Sequence, residues 1–254
     1  MLNLKLSAVK LRSFLHRAFP DEEKTPFASG IITAGGSGVR MGGIAKQTLD
    51  LCGKPCIYYS LIAFQKCPEI KEIIVVTRPD LEDEIRKICE TYRINKLSSV
   101  VPGGSTRQES VANGFARVSD RSDLVAIHDA ARPLIRSQHI TKLLSVAKRY
   151  GAVCAAKRIS DTVKRSVKDN LILETVPRDD LFSVQTPQVF RTDLYRISLA
   201  IAEKGGFSVT DDAALAEHVG FPVKLCDLLE PNFKLTTPED VEMISAILKG
   251  RNND

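Results

Sequence analysis

From position 29 onward, short apolar runs alternate with stretches in which apolar residues recur every three or four positions. The runs at 30–33, 72–77, 98–101, 124–128, 152–156 and 222–226 have the length and composition of buried strands. Between them the spacing predicts helices. Pro55 suits a first helical position, and Ile57, Leu61 and Phe64 then share one stripe. The stretches 81–92, 138–150 and 192–204 read the same way. The last helix is the clearest. Thr237 is placed to cap it, Pro238 at its first position and Asp240 at its third, with Val241, Ile244, Ile247 and Leu248 facing inward.

Strands alternating with helices predict an α/β fold with a mainly parallel sheet covered on both faces. The absence of an internal repeat or low-complexity linker predicts one domain over 28–250. One segment breaks the rhythm. Extended runs at 161–166 and 171–176 flank Lys168-Asp169-Asn170 and predict a β-hairpin arm within 157–178. It reads either as a simple edge hairpin or as an arm for dimer contact or for covering a site.

Charge alters the picture mainly at the N-terminus. The chain of 254 residues has a net charge of +5. Lys5, Lys10, Arg12 and Arg17 lie in the first twenty residues without an acid among them, so the remainder is close to neutral. A near-neutral body gives little support to a nucleic-acid surface. Leu4, Ala8, Leu11 and Leu15 fall at helical spacing, making 1–27 a basic extension. It lacks the long apolar region of a secretory signal. Transit-like, membrane-surface and packed-helix readings stay open, with a plain packed or frayed extension the simplest. No run reaches the ~20 apolar residues that a membrane span needs. The six cysteines form no C-x2-C pair and read as reduced thiols of a cytoplasmic protein.

Three segments carry chemistry. The apolar run Ile31-Ile32-Thr33 leads straight into Ala34-Gly35-Gly36-Ser37-Gly38, followed by Arg40 and Lys46. Glycines let backbone N–H groups approach phosphate oxygens, and the two cations stand ready for a polyphosphate. Neither the dinucleotide fingerprint nor the Walker spacing fits, because Met41 and Ile44 occupy decisive positions. The second run ends in His128-Asp129-Ala130-Ala131-Arg132. A carboxylate at the carboxyl end of a strand, where open α/β sheets bind ligands, is a candidate Mg²⁺ ligand or a helix cap. Arg132 can take a second anion, and His128 alternates away as a structural residue. In the third, Gly103-Gly104-Ser105-Thr106-Arg107 leads into a helix that includes Ser110, a pattern open to base or ribose recognition or to a plain capped turn.

These motifs together resemble a known family. Ala34-Gly35-Gly36-x-Gly38-x-Arg40-Met41 with Lys46-Gln47 is similar to the nucleotidyltransferase superfamily. Gly103-Gly104 with Arg107-x-x-Ser110, the His128–Pro133 segment, Asp161-Thr162-x-Lys164, Gln185-Thr186-Pro187-Gln188, Thr210-Asp211-Asp212 and Asn232-x-Lys234-x-Thr236 narrow the resemblance. The chain resembles the 2-C-methyl-D-erythritol 4-phosphate cytidylyltransferases over roughly 30–248. The spacing from Arg40 to Lys46 is one residue shorter than the family's, and the extension has no counterpart.

The resemblance implies a Rossmann-like domain, a homodimer joined through projecting arms, and Mg²⁺-dependent transfer of CMP from CTP to a polyol phosphate. It assigns Arg40 and Lys46 to charge on the α-phosphate, and Arg178 and Lys234 to positioning of the acceptor. Ala34, Gly35, Gly36, Ser37, Gly38, Gly104, Ser105, Ser110, Asp129 and Ala130 match CTP-binding positions, with Asp129 also the metal ligand. Arg132, Thr162, Thr186 and Thr210 match further acceptor contacts, some reached across the dimer. Ribitol 5-phosphate as acceptor, and a catalytically weak nucleotide-binding scaffold, are the rival expectations. No nucleic-acid partner is expected.

Overall fold

The computed structural model describes residues 25–36 and 45–251. Its centre is a seven-stranded sheet in the order β11-β7-β10-β6-β1-β4-β5. The strands are β1 (Ala28–Ala34), β4 (Ile70–Thr77), β5 (Leu97–Pro102), β6 (Leu124–Asp129), β7 (Ala152–Arg158), β10 (Phe182–Arg191) and β11 (Lys224–Asp227). Only β10 runs antiparallel to its neighbours. The short pair β2 (Asp50–Leu51) and β3 (Lys54–Pro55) precedes the first described helix.

Period-two alternation explains both faces of the sheet. Ile32, Ile73, Val75, Ala126 and Val153 face helices α1 (Cys56–Lys66), α2 (Glu82–Thr91) and α4 (Ser137–Tyr150). Ile31, Ile74, Val76, Val125 and Ile127 face α3 (Arg107–Phe115), α5 (Thr192–Gly205) and α6 (Asp212–His218). A Cβ on Gly114 would stand 2.6 Å from Val76 Cγ2, so glycine is what brings α3 against the sheet. The final helix, α7 (Pro238–Arg251), closes a third cluster through Ile244 and Leu248 on Leu51, Cys56, Leu134 and Leu235.

The expected strands and helices are present, with shifted ends. Pro55 is the N-cap of α1 rather than its first residue, with an extended ψ of 143°. The edge strand expected at 222–226 begins at Lys224. At α7 the Asp240 carboxylate accepts the N–H groups of Thr236 and Thr237, which is half of a capping box. The expected hairpin is β8 (Val163–Ser166) paired antiparallel with β9 (Ile172–Val176), and its turn places Asp169 and Asn170 at positive φ. Leu171, Ile172 and Leu173 on it are exposed. All six cysteines are free thiols. No helix among the described residues is long and apolar enough to cross a membrane. The basic extension expected at 1–27 lies almost wholly outside the described residues, as do Ser37, Gly38 and Arg40.

Candidate active site

A cavity of about 590 Å³ opens at the carboxyl ends of β1 and β6. β1 delivers Thr33, Ala34, Gly35 and Gly36 to one wall, and Lys46 and Gln47 continue it. The turn from β5 into α3 supplies Gly104, Ser105, Thr106, Arg107 and Ser110. β6 ends in Asp129, Ala130 and Ala131, and Lys234 reaches in from the segment before α7.

Local chemistry fixes each wall. Thr106 caps α3, and Glu109 returns the capping box while its carboxylate also accepts from the N–H and hydroxyl of Ser105 at 2.7 and 2.6 Å. A Cβ on Gly104 would fall 2.3 Å from that of Glu109, so the turn needs glycine there. The Gly104 N–H donates to Ser110 Oγ at 3.0 Å. The turn before α3 is therefore fixed by its own hydrogen bonds, with the Glu109 carboxylate holding the N–H groups of Ser105 and Thr106 and the Ser105 hydroxyl.

Lys234 is held by its neighbours. Asn232 Nδ2 donates to Thr186 O at 2.8 Å, and Leu235 N–H donates to Ala131 O at 2.7 Å. These bonds lay 232–236 against the end of β6. Lys234 Nζ then meets Asp129 Oδ2 at 2.7 Å. Lys46 Nζ donates to the carbonyls of Thr236 and Leu235 at 2.9 and 3.4 Å. The glycine-loop wall and the Lys234 segment are thus joined directly.

Asp129 is the one carboxylate among the described lining residues, opposite Lys46, Arg107 and Lys234. Burial pushes its carboxyl up, but the Lys234 ammonium and Arg107 guanidinium outweigh this and hold it well below the usual carboxylate range. Thr33 Oγ1 donates to it at 3.2 Å. Arg107 Nη1 lies 2.7 Å from Asp212 Oδ2, and its Nη2 lies 3.5 Å from Asp129 Oδ1. Burial raises the Asp212 carboxyl while Arg107 opposes it, and Tyr195 Oη donates to its other oxygen at 2.8 Å. Arg107 is thereby shared between a site carboxylate and a buried anchor. Arg107, Asp212 and Asn232 stand in sequence motifs that carry no assigned role for them. Gln47, quoted beside Lys46, also lines the cavity without a role assigned beforehand.

Of the expected site residues, Ala34, Gly35, Gly36, Lys46, Gly104, Ser105, Ser110, Asp129, Ala130 and Lys234 come together in this cavity. Arg132 and Thr186 lie behind it. Arg132 Nη1 donates to Asn232 O at 2.8 Å, and its Nε is 4.0 Å from Asp129 Oδ2. Thr186 Oγ1 accepts the Asp129 N–H at 3.0 Å and sits 3.2 Å from His128 Nδ1. Burial pushes the His128 imidazole down to about 3, so this ring is neutral and structural, as its alternation implied. Thr162 and Thr210 are exposed and stand outside the cavity lining. Arg178 also stands outside it, with Nη1 donating to Ser160 O at the base of the arm.

Among the described residues no three His, Cys, Asp or Glu side chains cluster to form a protein-built metal cage. A single ionised carboxylate fits a cation of the magnesium kind, which takes one or two carboxylates and draws other ligands from substrate phosphates and water.

The sequence and the fold both match known proteins. The sequence model of the 2-C-methyl-D-erythritol 4-phosphate cytidylyltransferase family matches residues 29–250. A protein of that name from Caldanaerobacter subterraneus is 40% identical over 223 residues, spanning 87% of this chain and 98% of the relative. Its counterpart from Pelotomaculum thermopropionicum is 37% identical, over 87% of this chain and 94% of its own length. The crystal structure of 4-diphosphocytidyl-2C-methyl-D-erythritol synthase from Anaerococcus prevotii superposes with a TM-score of 0.78 at 33% identity, over 89% of this chain and 97% of that one. The cytidylyltransferase from Thermus thermophilus gives 0.73 at 31% identity, over 87% and 98%. With a family match over residues 29–250, relatives up to 40% identical along nearly their whole length and the same fold, the chain belongs to the 2-C-methyl-D-erythritol 4-phosphate cytidylyltransferase family.

Proposed function

We propose that the protein transfers CMP from CTP to 2-C-methyl-D-erythritol 4-phosphate, giving 4-diphosphocytidyl-2-C-methyl-D-erythritol and pyrophosphate, a step of isoprenoid precursor synthesis. The observation that carries this reading is the gathering of three cations, Lys46, Arg107 and Lys234, in one cavity with the ionised Asp129, which Lys234 and Arg107 face directly. Family membership supplies the substrate pair.

An oxygen of the acceptor's phosphate attacks the α-phosphorus of CTP. The bond from that phosphorus to the oxygen bridging the β-phosphate breaks, and pyrophosphate departs. A phosphate monoester has a second pKa of about 6, so the nucleophile is already ionised and no protein base is needed. The obstacle is repulsion between two anions. Positioned cations remove it, and act most where charge grows in the transition state.

In this reading the turn 104–110 and Ala34 to Gly38 hold the triphosphate and nucleoside, with Ala130 beneath them. Arg40 and Lys46 meet charge at the α-phosphate. Asp129 would hold a divalent cation of the magnesium class. When bound, that ion screens the phosphates and favours pyrophosphate as a leaving group. Lys234 and Arg178 align the acceptor phosphate, with Thr162 and Thr210 as further contacts and Arg132 and Thr186 backing the pocket.

Arg178 and Thr162 lie on or beside the arm and outside this chain's cavity lining. The arm carries Leu171, Ile172 and Leu173 at 59–66% exposure, and a two-stranded ribbon is marginal alone in water. Both features support a homodimer in which each arm covers the partner's acceptor pocket. Residues 28–250 then act as one catalytic domain.

The test is product analysis. With CTP, Mg²⁺ and methylerythritol phosphate, the purified protein should form a cytidylyl diphosphate ester and pyrophosphate in equal amounts. Failure of the active-fold protein to form either product overturns the reading.

A further inference from the structure

Gln47 stands apart from the other cavity residues. The residue is only 3% exposed, yet it lines the cavity. Its backbone carbonyl accepts the Ile57 N–H at 2.9 Å, which pins the residue to the first turn of α1. Its amide nitrogen, by contrast, is buried and meets no acceptor among the described residues. A buried donor left in this state carries its full desolvation cost, and native folds rarely keep one without a use. The residue is held in place at the backbone and unsatisfied at the tip, on the wall of a ligand cavity.

We infer that Gln47 is a direct nucleotide contact, its amide N–H donating to an oxygen acceptor of bound CTP. This rests on the cytidylyltransferase reading. The nucleotide is favoured over the acceptor because Gln47 adjoins Lys46 and shares the cavity with Gly35, Gly36 and the 104–110 turn, whereas Thr162, Arg178 and Thr210 stand outside the lining. A neutral amide is the appropriate donor there. It adds directionality without adding another positive charge beside Lys46 and Lys234.

Structural and ligand-contact roles predict opposite signs for one substitution. Gln47→Met keeps the volume and removes the amide. If the amide serves the ligand, the ligand-free variant should melt higher, by about 2–6 °C, because a buried unsatisfied group is gone. Its KM for CTP should rise about 3- to 10-fold while KM for the acceptor stays within twofold. Gln47→Leu should behave alike. A lower melting temperature with unchanged KM for CTP would show a structural role and overturn the inference. A rise confined to the acceptor's KM would overturn the assignment to the nucleotide. Wild-type protein run alongside separates the two claims: if it releases no pyrophosphate from CTP and acceptor, the cytidylyltransferase reading fails first, and calorimetric CTP titration of both proteins still decides on Gln47.

Discussion

Lys234 and Asp129 lie 105 positions apart in the chain, and their side chains meet at 2.7 Å on the floor of the cavity. In the proposed mechanism the pair joins the cation-holding and the acceptor-positioning residues. Asp129 ends a buried parallel strand, while Lys234 arrives on a segment tied down by Asn232 and Leu235. Each partner holds the other in place.

Removing either side should separate those functions. Lys234→Ala should lower turnover by about 2–4 kcal/mol of transition-state stabilisation and leave CTP affinity unchanged, by analogy with loss of one electrostatic donor. Lys46→Ala and Arg40→Ala should lose a similar amount. Asp129→Asn should lower activity and move the Mg²⁺ titration to higher concentration. Collapse of CTP binding in the Lys234 variant, or an unmoved metal titration in the Asp129 variant, would contradict this division.

Arg107 is the hinge between Asp129 and the buried Asp212. Arg107→Ala leaves Asp212, among the described residues, with Tyr195 as its partner, and breaking a buried pair in this way costs about 3 kcal/mol. Asp212→Asn on that background should recover part of the loss, so the double variant should be less unstable than the two single losses added together. Strict additivity in urea unfolding would show that the two side chains do not share an interaction.

Acid should weaken the fold through His128. Its folded imidazole titrates at about 3 because burial disfavours the charged ring. The unfolded chain takes up that proton near pH 6.5, so stability is lost as pH falls below that value. From pH 7 to 4.5 this one group should remove about 2–3 kcal/mol. Asp129 has the opposite charge type but the same direction. Its folded carboxyl is depressed, so its contribution is present above the unfolded value near 4 and fades only below it. His128→Gln should therefore flatten the pH 4.5–7 slope. Equal slopes in the two proteins would refute the assignment.

The arm makes a separate prediction about assembly. Replacing Leu171, Ile172 and Leu173 together with serine removes exposed apolar surface from a ribbon that packs on little of its own chain. Sedimentation should show dimeric wild type and a monomeric variant with reduced acceptor turnover. A variant that remains dimeric and active would remove the arm from the interface.

Much of this architecture was legible in the sequence. The parallel strands are continuous apolar runs because both faces are covered, and those runs located β1, β4, β5, β6 and β7 within a few residues. β10 was not legible. Its Phe182–Arg191 segment includes Pro187 and two glutamines, which a central strand seldom tolerates, and the ladder is irregular between Val184 and Gln188. α6 is only seven residues long, too short for a helical period to register. At the site, the glycine loop, Asp129 and Lys234 stood in motifs. The sharing of Arg107 between two carboxylates, and the burial of Gln47, arise from chain segments brought together by the sheet, so no local pattern carries them.

The central claim is the chemistry of the cavity, and pyrophosphate release tests it most directly. CTP and Mg²⁺ should be offered with methylerythritol phosphate and, separately, with ribitol 5-phosphate. The account predicts release with methylerythritol phosphate and little with ribitol 5-phosphate. Release with ribitol 5-phosphate alone, or silence with both while CTP still binds, would contradict it.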